Sequence, residues 1–199
     1  MPGFTQSFYN DTPAYTGSYN RVLSVLDACG YQSHFQELDW RSRSATTWLD
    51  QIERRAEEIS GGESGIFLAG FSLGALIAAL AASQLENNDR VPVRGLIACS
   101  PSPWLGKRWL PLACTISGSG ANMLNPQLHE SLLEYELPAL RCPVQLYAGS
   151  LEHPILHDMR AAAATAWPQA EFITSPAGHD LYEEPYLNAL RHNAGRLAL

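Results

Sequence analysis

The stretch GIFLAGFSLGALIAALAAS, residues 65–83, decides the fold. Ile66-Phe67-Leu68-Ala69 is a short unbroken apolar run, the pattern of a strand buried on both faces. From Leu73 the chain is rich in Ala and Leu and apolar all round, so residues 73–86 read as a buried helix. Between the two stands Gly70-Phe71-Ser72-Leu73-Gly74, a serine flanked by glycines. A turn this tight needs glycine wherever a Cβ would strike the adjoining strand or helix. No G-x-G-x-x-G opens the helix and no G-K-[ST] is present, so the turn is not a dinucleotide or P-loop cradle.

Around this stretch lies a chain of 199 residues, 46% apolar and 17% charged, a composition that fits a single globular domain spanning 1–199. The formal net charge is -7 and the acidic surplus is spread along the chain, which argues against a nucleic-acid partner. Cys29, Cys99, Cys114 and Cys142 form no C-x-x-C pair and no Cys/His ligand spacing, so neither a metal nor another cofactor is expected. Cys29 and Cys99 read as small buried hydrophobes. No apolar run approaches the roughly 18 residues of a membrane span, so membrane insertion is not expected. The start, MPGFTQSFYN, lacks the basic region and apolar core of a signal peptide, and a reduced cytoplasmic compartment is the expected setting. The oligomeric state is open, a homodimer included.

Strand-like runs alternate with helical patterns along the chain, the signature of a mainly parallel sheet of about five strands covered on both faces. YNRVLSVLDACG places Val22, Leu23, Val25 and Leu26 on one helical face and stops at Gly30. SHFQELDW, residues 33–40, reads as a strand running into a loop at Asp39-Trp40. Ser44 can cap the helix ATTWLDQIERRAEEIS, which ends at Gly61-Gly62. VRGLIACS, CPVQLYAGS and AEFITSPAG read as further strands. HDMRAAAATAW and EPYLNALRHNAGRLAL read as helices. Residues 101–141 are a connection too long to be a simple loop and too apolar to be disordered, and read as a cap or lid with weak helices near 110–116 and 126–136.

Gly-x-Ser-x-Gly between a strand and a helix is the nucleophile elbow, which lifts the serine hydroxyl clear of the sheet at the positive end of a helix dipole. The amide of Leu73 points at the same place and can stabilise an oxyanion. A serine is a weak nucleophile unless a base takes its proton, and that base needs a third group to orient it. Both are expected at the carboxyl ends of later strands. Glu152 follows the strand VQLYAG, and His179 follows EFITSP in a short turn containing glycine. Asp158 is the alternative acid, placed by its neighbours on the following helix. His34, His129, His153, His157 and His192 read as surface or capping residues. Asp180 adjoins His179 and cannot easily fold back onto the same imidazole.

With PGFTQS (2–7), GFSLG (70–74), GSLE (149–152) and AGHD (177–180) in this order, the chain resembles the α/β-hydrolase family over essentially its whole length. The resemblance implies a three-layer α/β sandwich with Ser72 as nucleophile, His179 as base and Glu152 as orienting acid. It also implies that the amide of Phe4, in Pro2-Gly3-Phe4, joins that of Leu73 in the oxyanion hole. The family places a buried central strand ahead of that loop, and a chain starting at Met1 leaves no residues for it. The expectation is therefore a sheet without the family's first core strand, from a misassigned start, a re-paired sheet or a degenerate copy.

The expected chemistry is two-step acyl transfer to water on a small-molecule carboxylic ester, with thioester hydrolysis or peracid formation as variants. Phe71, and Trp104, Trp109 and Leu110 in the cap, would favour an apolar or aromatic group, unless these side chains only seat the cap. The rivals are a catalytically weak or inactive member that binds a ligand or partner, and a lyase or haloperoxidase-like activity on the same residues.

Overall fold

The computed structural model describes residues 14–39, 42, 44–60, 65–101, 131–132 and 134–198 of the chain. Its centre is a parallel sheet of four strands in the order β1-β2-β3-β4. They are β1 (Ile66–Phe71), β2 (Val93–Cys99), β3 (Val144–Gly149) and β4 (Glu171–Ser175). Each pairs in parallel with the next in sequence. All four carboxyl ends therefore point the same way, and the loops that leave them gather on one edge.

The helices are α1 (Ala14–Ala28), α2 (Ala45–Ile59), α3 (Leu73–Asn88), α4 (Pro154–Ala166) and α5 (Glu184–Asn193), followed by a 3-10 turn over Ala194–Ala198. Two separate cores give the layering. Trp48 and Ile52 of α2, Leu76 and Leu80 of α3 and Met159 of α4 share one core with the sheet. Val25 of α1, and Tyr186 and Leu190 of α5, share the other. The result is the expected three-layer sandwich.

Local signals explain most element ends. Ser44 caps α2 by accepting the Thr47 N–H at 3.3 Å, which satisfies one of the orphan donors of a helix start. Gly30, at φ +96, lets the chain turn back after α1 while the Tyr31 N–H bonds the Leu26 carbonyl at 3.2 Å. β3 is buried along its whole length and carries an amide side chain, Gln145, into the core. That amide donates to Glu171 Oε2 and to the Asn193 carbonyl, both at 2.9 Å, and accepts from the Tyr147 hydroxyl at 2.9 Å. Every polar group Gln145 brings into the core thus has a partner.

Three expectations need correction. Residues 33–39 are extended but join no strand ladder, so the described sheet has four strands, not five. A cavity of about 380 Å³ lies between them and β1, lined on one side by 30–36 and on the other by 65–71. Cys99 is buried, but Cys29 is only half-buried, its sulfur facing the Arg191 carbonyl at 3.6 Å. Helix α3 runs on to Asn88, ending where Asp89 takes a left-handed conformation at φ 53. No strand precedes β1 among the described residues. Most of the expected cap, 101–141, lies outside them; Leu132 and Leu140 within it are buried in the α2–α3–α4 core. Among the described residues, no helix is long and apolar enough to cross a membrane.

Leu76 is fully buried where α3 packs between α2 and the sheet. Leu76→Ala should lower stability by about 2–5 kcal/mol, read as a shifted urea midpoint with an unchanged slope. Leu151→Ala, at a site 73% exposed, should stay within about 0.5 kcal/mol of the parent.

Candidate active site

Ser72 stands between the last residue of β1 and the first of α3, at φ 56 and ψ -124. A non-glycine residue enters that region only where its surroundings hold it. Here its N–H continues the sheet ladder to the Cys99 carbonyl at 2.9 Å, and its own carbonyl accepts the Ala75 N–H at 3.1 Å. The chain passes from strand to helix across one residue. Gly70 is what permits this, because a Cβ there would lie 2.2 Å from the Gly74 carbonyl oxygen. Leu73, the first residue of α3, has an N–H with no acceptor inside the helix.

Two loops from the far strands converge on this bend. Ser72 Oγ lies 3.1 Å from His179 Nε2, and His179 Nδ1 lies 3.3 Å from Glu152 Oε1. The Glu152 side chain is only 1% exposed, whereas that of His179 is 33% exposed. The imidazole can thus be reached from solvent while the carboxylate behind it cannot. The Asp180 side chain does not compete, because its Oδ1 accepts the Tyr182 N–H at 2.8 Å within the loop.

The loops carrying Glu152 and His179 are also tied to each other. Ser150 N–H donates to the Ser175 carbonyl at 2.8 Å, and Leu151 N–H to the Ala177 carbonyl at 3.0 Å. A Cβ on Gly149 would lie 2.2 Å from that Ala177 oxygen and 2.6 Å from the Gly178 oxygen. Glycine at the end of β3 therefore lets the histidine loop lie against the acid loop.

Phe71 was expected to contact substrate. Its half-buried ring lies against His179, with centroids 4.7 Å apart and planes tilted by 34°. Beneath them is a buried polar group that sequence reasoning missed. Ser100, at φ 46 past the end of β2, shares a 2.7 Å hydrogen bond with the Tyr186 hydroxyl. Burial, with the Cys99 thiol beside it, raises the Tyr186 phenol well above its ordinary range. Burial likewise pushes the Cys99 thiol up to about 12, so the floor of the site stays protonated and uncharged. The only sequence sign of this pair was a tyrosine on the buried face of the last helix.

Phe4, Trp104 and Trp109 lie outside the described residues. Among the described residues no three His, Cys, Asp or Glu side chains gather in a way that could hold a metal ion.

No protein-family model matches the sequence, and no curated protein matches it significantly. Solved structures do. A protein described as a hydrolase from Agrobacterium vitis S4 has 15% identity and a TM-score of 0.68, over 90% of this chain and 81% of that one. Est1E from Butyrivibrio proteoclasticus, with ferulic acid bound, has 15% identity and a TM-score of 0.65, over 100% of this chain and 87% of its own. Mouse alpha/beta hydrolase domain-containing protein 10 has 15% identity and a TM-score of 0.64, over the same shares. The chain has the α/β-hydrolase fold.

Gly70→Ala forces a methyl group into backbone and should destabilise the protein by about 1–3 kcal/mol or more in urea unfolding. A fully stable Gly70→Ala protein would mean that the bend relaxes with little cost.

Proposed function

We propose that this protein is a serine hydrolase that cleaves a carboxylic ester of a small, mostly apolar substrate through an acyl-enzyme. One observation carries the reading: Ser72 Oγ, both nitrogens of His179 and the buried Glu152 carboxylate form a continuous line of contacts at 3.1 and 3.3 Å. His179 Nε2 takes the hydroxyl proton as Oγ attacks the carbonyl carbon. Glu152 holds the imidazole in the tautomer with hydrogen on Nδ1 and stabilises the cation that forms. The Leu73 amide, joined by that of Phe4, receives the negative charge on the carbonyl oxygen. His179 then protonates the departing alcohol, and the same imidazole activates water to release the acid and restore Ser72.

The substrate class rests on less. Phe71 puts an apolar ring beside His179, and the Est1E structure contains an aromatic acid, ferulic acid. Human thioesterase 2 shares the fold, at a TM-score of 0.54, and a thioester is the natural variant of the same chemistry. A second reading, a ligand- or partner-binding protein with weak or no catalysis, draws on the cavity of about 380 Å³, whose lining reaches Phe71 but includes none of Ser72, Glu152 and His179.

A fluorophosphonate probe should label the wild type and leave Ser72→Ala unlabelled. Hydrolysis of p-nitrophenyl acetate should fall about a thousandfold or more in Ser72→Ala and in His179→Ala. Folded protein that takes no label and turns over no ester would favour the binding reading.

A further inference from the structure

We propose that Glu183 is a positioning residue for His179, holding the histidine loop through the backbone of Gly178; this rests on the reading of His179 as the base. Gly178 N–H donates to both oxygens of the Glu183 carboxylate, at 3.1 Å to Oε1 and 3.3 Å to Oε2. Gly178 directly precedes His179, so this bond fixes the peptide one residue ahead of the one that carries the imidazole. Glycine suits the position, because a Cβ there would already meet Glu183 Oε1 at 3.1 Å.

Glu183 occupies the N-cap of α5, where its carbonyl accepts the N–H groups of Tyr186 at 2.9 Å and Leu187 at 3.0 Å. Ser, Thr, Asp or Asn would serve that position better. The Glu183 side chain makes no capping bond to its own helix. It turns back across the loop instead. Its N–H closes the circuit by donating to the Asp180 carbonyl at 3.3 Å. The next residue, Glu184, faces outward and pairs with Arg21. Among the described ion pairs none involves Glu183, so its carboxylate is committed to the loop.

The single peptide between Ala177 and Gly178 is thus held on both sides. Ala177 O is fixed by Leu151 N–H from the Glu152 loop, and Gly178 N–H is fixed by Glu183. The first tie sets the distance between the acid and the base loops. The second, on the opposite side of the same peptide, fixes its plane one residue ahead of His179 and so constrains where Nε2 meets Ser72.

The test separates positioning from helix capping. Glu183→Ser installs a good cap but is too short to reach Gly178, whereas Glu183→Gln keeps an acceptor of full length. Positioning predicts that Glu183→Ser lowers kcat on p-nitrophenyl acetate by about ten- to a hundredfold, with KM within about twofold, as displacements near 1 Å do. Its thermal midpoint should match or exceed the parent's. Glu183→Gln should retain kcat within about threefold. A kcat unchanged in Glu183→Ser, or lost equally in both variants, overturns the proposal. The imidazole Nδ1–H proton resonance gives a readout independent of turnover. It should shift or broaden in Glu183→Ser and persist in Glu183→Gln, and an unmoved signal in Glu183→Ser overturns the proposal too. Wild type without label or turnover would sink the hydrolase reading, while this resonance would still decide whether Glu183 sets the ring.

Discussion

The structure depends on one backbone conformation, that of Ser72 at φ 56 and ψ -124. Such a conformation costs of order 1–3 kcal/mol for a residue with a side chain, and persists only where its surroundings over-determine it. Here the surroundings are α3 and the ladder between β1 and β2. Leu73, Ala75, Leu76, Ile77, Ala78 and Ala79 of α3 are all fully buried, and alanines let the helix axis lie near the strands. Unbending Ser72 would lift this helix off the sheet. Burial of several such side chains, at about 25 cal/mol per Å², far exceeds the local strain, so the bend is held by a core that has no part in the chemistry.

The three side chains come from strands that are not all neighbours. Ser72 leaves β1, Glu152 leaves β3 and His179 leaves β4, so the histidine loop must cross the ends of β3 and β2 to reach the serine. What fills the space under that crossing matters as much as the residues that meet. Gly149 contributes no side chain at the end of β3. At the end of β2, Ser100 turns with φ 46, its N–H still bonded to the Tyr147 carbonyl at 2.8 Å. The Tyr186 ring packs beneath, edge-on to Phe71 at 6.4 Å. A bulky or charged side chain at either strand end would raise the imidazole away from Ser72.

The sequence made the fold readable where a local pattern had one physical explanation. An apolar run, two glycines around a serine and an alanine-rich helix admit few structures besides a strand, a tight bend and a buried helix. The order Ser72, Glu152, His179 was readable because each follows an apolar strand within a few residues. Residues 33–39 read as a strand, yet among the described residues a cavity, not a pairing partner, lies between this segment and β1. Ser100–Tyr186 and the Gly149 approach are contacts between distant segments with no local trace. Glu183 and Glu184 are indistinguishable as letters; that one turns inward to Gly178 and the other outward to Arg21 depends on the helix start between them.

The candidate site divides into two halves that rest on different parts of the chain. The proton-handling half, Ser72 with His179 and Glu152, is built within the four described strands and the ties among their loops. On the proposed hydrolase reading, the oxyanion half needs a second donor beside that of Leu73. A mispositioned second donor would leave the serine activated but lower the rate by about a hundredfold or more. Reactivity of Ser72 toward a phosphonate stops at the first covalent step, whereas turnover of an ester also requires His179 to activate water for the second.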